Sequence, residues 1–328
     1  MTLARQPRWS LLGLLVALWL PCTAVAQSEA YPSRPVRIIS GFGQGGPTDI
    51  VARVLADELS TVFKQQFYVE SRPGASGNIA TQALVQAAPD GYTFMIGATP
   101  IAVNRWLFPD FNVYLDKDFV AMSAIGASEN ALVVHPTLGV KTLDEFKALI
   151  KAKPDFVTYA TVGRGSSSHL AGVAFDLAGQ TKMIAVPYRG GGEILQDLLG
   201  QHVNAWFATI PNVIEQVRAG RLVALATTGP ERSKSFPDIP TLAESGFPGF
   251  DVRLWVGLFA HADLSEQRRK TIETAVEKLL ATPQMTAVLD AQGISPMNLG
   301  GRSFADFVRG ETERWHGVVE ALDAPTKP

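Results

Sequence analysis

The sequence predicts an α/β fold of two lobes, each a mostly parallel sheet flanked by helices. The chain has 328 residues, which is long for one average domain and suits two. Hydrophobic residues make up 46% of it and charged residues 18%, a balance that can bury a large core. From residue 31 onward, short β-rich runs alternate with amphipathic helical patterns, which is typical of βα units.

The predicted strands and helices alternate in the same order along the chain. A strand at residues 36–40 leads into a glycine-rich turn and a helix, and Thr142 with Glu145 has the capping-box spacing that opens another helix. Three helical patterns end the chain, at residues 265–281, 283–292 and 303–321. Further strands are predicted at residues 67–70, 93–97, 156–160, 183–187, 203–207 and 222–227.

Two apolar, extended segments, residues 124–133 and 251–259, are candidates for strands that join two sheets. We therefore expect one lobe to comprise residues 31–127 with residues 256–328, and the other residues 128–255. A ligand cleft is expected between the lobes.

The N-terminus has the features of a cleavable signal peptide. Arg5 and Arg8 precede an apolar run at residues 11–20, and small residues end at Ala26. The run is shorter than the roughly 20 residues needed to span a bilayer, which disfavours the alternative of a retained anchor. We expect residues 1–26 to be removed and the mature protein to be exported.

Composition excludes several classes of site. The only cysteine, Cys22, lies in the predicted signal peptide, so the mature chain has no thiol for disulfides, thiolate zinc sites or nucleophilic catalysis. Without residues 1–26 the chain keeps 27 basic against 31 acidic residues, and its basic residues are dispersed, which argues against nucleic acid as a partner. The five histidines, at positions 135, 169, 202, 261 and 316, show no metal-ligand spacing, so no metal site is expected.

A glycine-rich loop at residues 41–46 satisfies the spacing G-x-G-x-x-G between a strand and a helix. Glu70 stands where a dinucleotide fold places its ribose-binding acid, but export makes NAD implausible and we expect no cofactor. The glycines could instead present backbone N–H groups to any anion, with Thr48 adding a hydroxyl. A tight turn without a ligand is the remaining alternative.

A second candidate loop, residues 163–169, carries Arg164, Gly165, Ser166 and Ser167 between a strand and a helix. Its hydroxyls and amides suit an oxyanion. A serine hydrolase is disfavoured because the G-x-S-x-G elbow is missing and no acid is placed to orient His169, so no catalytic residue is expected. A third flexible junction, at residues 188–192, offers the amides of Gly190 and Gly191, whereas Arg189 could equally lie in solvent.

Several segments in order along the chain carry a family resemblance. Residues 31–35 read YPSRP, residues 45–49 GGPTD, residues 70–78 ESRPGASGN and residues 88–93 APDGYT. Later segments agree, at residues 165–171, 186–190, 238–241 and 246–250. Together they resemble the solute-binding receptors of tripartite tricarboxylate transporters, the Bug-type proteins.

This resemblance implies a periplasmic, monomeric receptor of Venus-flytrap architecture, without catalytic activity, that captures a small organic carboxylate. Its partners would be the membrane subunits of a tripartite tricarboxylate-type transporter. A sensory receptor that feeds a membrane kinase and a periplasmic enzyme are the alternatives. The expected ligand-binding residues are Phe42, Gly45, Gly46, Thr48, Thr99, Arg164, Gly165, Ser166, Ser167, Gly190, Gly191, Ala208 and Thr209.

Three departures from the family pattern bear on the ligand. In the first loop, which is usually proline-rich in the family, Gly41, Gly43 and Gln44 occupy those places. Arg164 stands where a small polar residue is common, and Ala208 stands in a segment where many relatives carry an acid. An arginine can bind a carboxylate bidentately, and an alanine leaves a ligand ammonium without a counter-charge. We therefore expect a dicarboxylate or aromatic carboxylate that lacks an amino group, held by Arg164.

Overall fold

The computed structural model describes residues 31–323, so the predicted signal peptide lies outside the described residues. Within that range, no helix combines the length and the hydropathy needed to cross a bilayer. Strands alternate with helices in the first third of the chain, as the sequence predicts. These elements are β1 (Val36–Ser40), α1 (Pro47–Phe63), β2 (Phe67–Ser71), α2 (Asn78–Val85), β3 (Thr93–Ala98) and α3 (Asn104–Leu107), followed by the long strand β4 (Phe119–Val134).

The same alternation continues through the middle of the chain. The elements there are α4 (Leu143–Ala152), β5 (Thr158–Thr161), α5 (Ser167–Gly179), β6 (Ile184–Pro187), α6 (Gly191–Leu199), β7 (Ala205–Thr209), α7 (Ile210–Arg218) and β8 (Val223–Thr227). The chain then forms β9 (Arg253–His261), α8 (Glu266–Leu280), α9 (Pro283–Ala291), the short β10 (Ser295–Pro296) and α10 (Gly301–Asp323). The predicted capping box is present at the start of α4, where the Thr142 side chain accepts a hydrogen bond from Glu145 N.

The strands follow one hydrogen-bonded path, in the order β2-β1-β3-β9-β4-β7-β5-β6, and β8 and β10 also pair with β4. Pairing is parallel among β2, β1 and β3 and among β6, β5 and β7, whereas β4 and β9 run antiparallel to their neighbours. The predicted α/β fold, with helices flanking the sheet, is confirmed.

Strand β4 is shared by two halves of this sheet. The first half contains β1, β2, β3 and β9, and the second half contains β5, β6, β7 and β8. It pairs with β9 from Phe119 to Glu129, and with β7 from Asn130 to Val134. Nearly all of its residues are buried, because helices cover both faces. A strand buried on both faces is a continuous apolar run, which is why the sequence marks this segment as a joining strand.

The second connection between the halves runs beside the first. Thr228 N donates to Asn130 O over 2.9 Å, and Val252 N donates to Thr228 O over 3.0 Å. The Thr228 hydroxyl accepts from Asn130 N and donates to Val252 O. Backbone groups of β4 and of the returning chain are therefore tied together at the point where both pass from one half to the other.

The core of the first half is closed by α10, which packs against β9. Phe304 lies edge-on to Trp255, with ring centroids 5.9 Å apart, and tilted against Phe259 at 5.4 Å. All three side chains are fully buried. Gly257 lies opposite this cluster on β9, where a Cβ atom would overlap the Phe304 ring.

We expect Gly257→Ala to lower the free energy of unfolding by about 1–3 kcal/mol, because a methyl group there forces Phe304 out of its packed position. Thermal or denaturant unfolding measures the change. Gly310→Ala in the same helix as Phe304 is the control, since no atom of the part of the chain that the structure describes lies within 4 Å of its added Cβ and alanine favours a helix over glycine. Equal stability of Gly257→Ala and the wild type would contradict this packing.

Candidate functional site

A cavity of about 320 Å³ opens at the carboxyl ends of strands from both halves of the sheet. Four helices, α1, α5, α6 and α7, begin at its wall, and the N-cap residue of each lies in that wall: Gly46, Ser166, Gly190 and Thr209. The full lining is Phe42, Gly43, Gln44, Gly45, Gly46, Pro47, Thr48, Pro100, Asn130, Val162, Ser166, Ser167, Ser168, Arg189, Gly190, Gly191, Gly192, Trp206, Phe207, Thr209, Asn212 and Leu254.

The glycine-rich loop before α1 is held in shape by a buried carboxylate. Asp49 accepts from Gly45 N over 3.1 Å and pairs with Arg53 at 2.9 Å. Gly45 has a φ of 78°, a conformation that glycine adopts without strain. The hydroxyl of Thr48, in the first turn of α1, makes no hydrogen bond to any described residue and is left for the cavity.

Glu70, the residue at the ribose-binding position of a dinucleotide fold, lies outside this wall. Its carboxylate pairs with Arg37 at 2.9 Å and with Arg72 at 2.5 Å. The carboxylate is therefore engaged by two arginines of its own sheet, and the geometry gives no support to a dinucleotide site.

The three serine side chains of the second loop differ in their hydrogen bonds. Ser166 caps α5 by accepting from His169 N, and its hydroxyl donates to Gly163 O over 2.7 Å. Ser168 accepts from Val162 N. Among the described residues, Ser167 has no side-chain hydrogen-bond partner, so its hydroxyl is the one that this loop offers to the cavity.

His169 maintains the serine loop, and its ring makes no hydrogen bond to a serine hydroxyl of residues 31–323. Its Nδ1 accepts from Gly165 N at 3.3 Å. Burial, reinforced by the charge of Arg164, lowers the pKa of His169 to about 4. The ring is therefore neutral near pH 7 and positions the loop backbone, an arrangement that does not make Ser166 a nucleophile.

The third loop leads into α6. Gly190 and Gly191 lie in the wall, and a Cβ atom added at Gly191 would lie 3.3 Å from the indole of Trp206. The Asn212 side chain donates to Thr209 Oγ1 over 2.8 Å, which holds the start of α7. Arg189 also lines the cavity and is exposed, and its backbone N–H donates to Glu193.

Nine of the expected binding residues lie in this wall: Phe42, Gly45, Gly46, Thr48, Ser166, Ser167, Gly190, Gly191 and Thr209. The other four lie behind it or beside it. The Thr99 hydroxyl accepts from Trp255 N and donates to Arg253 O, so it joins segments of the sheet. Ala208 is a residue of β7, and it is buried in the hydrophobic core that covers this strand.

Arg164 and Gly165 belong to a contact between loops at the edge of the cavity. The Arg164 carbonyl accepts from Ser76 Oγ over 2.6 Å. A Cβ at Gly165 would lie 2.9 Å from Val103 and 3.0 Å from Leu107. Arg164 is not among the residues that line this cavity.

Sequence reasoning missed several wall residues, among them Asn130, Trp206, Phe207 and Leu254. Asn130 could have been noticed in the sequence, because it is a polar residue in the apolar run of β4. Its position in the wall, however, depends on the pairing of β4 with β7. Trp206 and Phe207 are neighbours on β7, whose successive side chains point to opposite faces of the sheet, so the presence of both in the wall cannot be read from spacing alone.

The cavity favours an anion. Among the residues that the structure describes, none of those in the wall is Asp or Glu. The partial positive charges of four helix N-termini converge there, and Arg189 adds a full one. No cluster of His, Cys, Asp or Glu side chains that could hold a metal ion occurs in residues 31–323.

The chain is similar to known receptors along nearly its whole length. Residues 51–324 match the family model described as tripartite tricarboxylate transporter family receptor. The chain belongs to this family. It is 33% identical to Protein BugT of Bordetella pertussis over 320 residues, which is 97% of this chain and 98% of that protein.

Two solved receptors have the same fold and carry carboxylates. Rpa4515 of R. palustris, solved with adipate, superposes with a TM-score of 0.81 at 29% identity, covering 89% of this chain and 98% of that one. MatC from Rhodopseudomonas palustris, with bound malate, gives 0.79 at 30% identity and covers 88% and 100%. Members of this periplasmic family are solute-binding receptors and not enzymes, which confirms the expected architecture and the class of protein.

We expect the stability of this receptor to depend on pH through His169. The unfolded chain binds a proton at His169 below about pH 6.5, and the folded chain only near pH 4. The stabilisation is therefore complete above pH 6.5 and is lost as the pH falls to 4, by roughly 2–4 kcal/mol. His169→Asn, whose Oδ1 can replace Nδ1 as acceptor, should flatten this part of the profile in denaturant unfolding. A profile that keeps the same slope between pH 6.5 and 4 in His169→Asn would contradict this role of His169.

Proposed function

We propose that this protein captures a small organic carboxylate in the periplasm and delivers it to the membrane subunits of a tripartite tricarboxylate-type transporter. The observation that carries the proposal is the convergence of four helix N-termini on one cavity whose described wall contains no acid. Adipate and malate in the related receptors support a carboxylate ligand. Residues 1–26 would act as the signal peptide that exports the chain.

Two groups are best placed to hold the ligand carboxylate. The first is the start of α1, with the Gly46 region and the Thr48 hydroxyl. The second is the start of α5, with the Ser167 hydroxyl and the amides beside it. Hydrogen bonds from neutral hydroxyls and amides to a charged oxygen are worth roughly 1.5–3 kcal/mol each, so binding needs no arginine clamp.

The lobes proposed from the sequence are residues 31–127 with 256–328, and residues 128–255. The change of partner of β4 at Asn130 and the hydrogen bonds between Asn130, Thr228 and Val252 support a hinge at this place. Bending there would close the cavity around a ligand. The contact of Gly165 with Val103 and Leu107 would then be a contact of the closed form.

Ser167→Ala should weaken binding of the preferred carboxylate about ten- to a hundredfold, because it removes one hydrogen bond to a charged group. Isothermal titration with malate, succinate and adipate measures this. Arg164→Ala is the matched control from the same loop and should change affinity by less than about twofold. A large loss in Arg164→Ala with none in Ser167→Ala would reverse the assignment. Stabilisation by NAD and by no carboxylate would contradict the proposed function itself.

Gly165→Ala should hinder closure, because its methyl group would press on Val103 and Leu107 and because Gly165 has a φ of 80°. Small-angle scattering should show a smaller radius of gyration for the liganded wild type and a smaller change for the variant. Gly220→Ala carries similar backbone strain, with φ 68° and open space around the added Cβ, and should close like the wild type. An unchanged radius in the liganded wild type would contradict closure.

A further inference from the structure

The loop at residues 74–77, between β2 and α2, has an uncommon backbone, and we call it the GASG loop. All four of its residues have positive φ angles: 136° at Gly74, 45° at Ala75, 53° at Ser76 and 91° at Gly77. Glycine adopts such angles readily, whereas alanine and serine do so at a cost in free energy. Two adjacent residues of that kind persist only where surrounding contacts fix the backbone.

The contacts that fix the GASG loop come from both halves. Asn104, on the helix that follows β3 of the first half, donates from its side chain to Ser76 O over 2.9 Å. Arg164, in the loop that follows β5 of the second half, accepts at its carbonyl from Ser76 Oγ over 2.6 Å. One bond therefore holds the main chain of Ser76 within its own half, and the other joins its hydroxyl to the opposite half.

Glycines on the second half allow this close approach. Gly163 and Gly165 flank Arg164, with φ angles of 112° and 80°. A Cβ atom added at Gly163 would lie 3.7 Å from Ser76 Oγ, and one at Gly165 would lie 3.4 Å from Asn104 Oδ1. The absence of side chains on both sides of the acceptor therefore lets the main chain of the second half come directly against polar groups of the first.

The acceptor belongs to the loop that is proposed to bind the ligand. Ser167, whose hydroxyl is assigned to the ligand carboxylate, is the first residue of α5 and follows Arg164 by three positions. Ser76 itself is not among the residues that line the cavity. A bond that fixes the Arg164 carbonyl therefore positions the ligand-binding loop without touching the ligand.

We infer that the hydrogen bond from Ser76 Oγ to the Arg164 carbonyl is a latch, which forms when the cavity closes and sets how long the bound solute is retained. The inference rests on the proposed function, because the closed form is the form that holds the ligand. Opening of the cavity has to break this bond, whereas entry of the ligand into the open form does not involve it. Ser76 is thus a positioning residue that acts on the dissociation rate constant.

Ser76→Ala tests the latch, because it removes the donor without adding bulk. Stopped-flow tryptophan fluorescence measures both rate constants, since Trp206 lies in the cavity wall. For the tightest-binding of malate, succinate and adipate, the dissociation rate constant should rise about three- to tenfold, as expected for one hydrogen bond between neutral groups. The association rate constant should stay within about twofold of the wild-type value.

Arg164→Ala is the matched control, because it keeps the main-chain acceptor and should leave both rate constants within about twofold of the wild type. An unchanged dissociation rate constant in Ser76→Ala, or a rise of the same size in Arg164→Ala, would overturn the latch and leave the proposed function intact. Failure of the wild type to bind any carboxylate would instead overturn the proposed function, and the latch with it. The two failures are therefore distinguishable.

The melting temperature of the unliganded protein separates a latch from a bond that only stabilises the fold. The latch is not formed in the open, unliganded protein, so Ser76→Ala should melt at the wild-type temperature. Asn104→Leu is the comparison, since it removes bonds to Ser76 O and Asn78 Oδ1 within the first half, and it should lower the melting temperature. A loss in Ser76→Ala as large as that in Asn104→Leu would show that the Ser76 hydroxyl is structural and would overturn the latch.

Discussion

The pairing of β4 with strands of both halves is the constraint on which the rest of this receptor depends. One continuous strand pairs with β9 up to Glu129 and with β7 from Asn130 onward, and the returning chain is tied to it at Thr228. The carboxyl ends of β1 and β7 therefore meet at one cavity although they belong to different halves. Helices that follow those strands must begin there, and their N-termini give the site its polarity.

The electrostatics of the site come mainly from the backbone. A salt bridge between a ligand and a deeply buried arginine would require both charges to lose water, which often costs as much as the attraction returns. Helix N-termini carry partial charges that are fixed in place by the fold. The arginine most prominent in the sequence, Arg164, is not among the residues that line the cavity, and the one cationic side chain among the described wall residues, Arg189, remains exposed.

The sequence predicted most of the elements and the loops that form the site, because glycine, serine and helix-cap patterns are local signals. The strand predicted at residues 36–40 coincides with β1, whereas β4 begins at Phe119, before the segment that was predicted to join the sheets. Residues whose role depends on pairing between distant strands were not identified. Asn130 and Trp206 lie in the wall only because β4 and β7 are in register, and Thr99 serves the sheet only because Trp255 lies beside it.

The bond from Ser76 to the Arg164 carbonyl has a consequence for how this protein can change through evolution. The acceptor is a main-chain atom, which every amino acid possesses, so the bond places no demand on the identity of residue 164. Mutations there can accumulate while the two loops keep their contact. Gly165, one position along, has no such freedom, because a side chain would meet Val103 and Leu107. Adjacent positions of one loop are thus expected to diverge at very different rates among descendants of this gene.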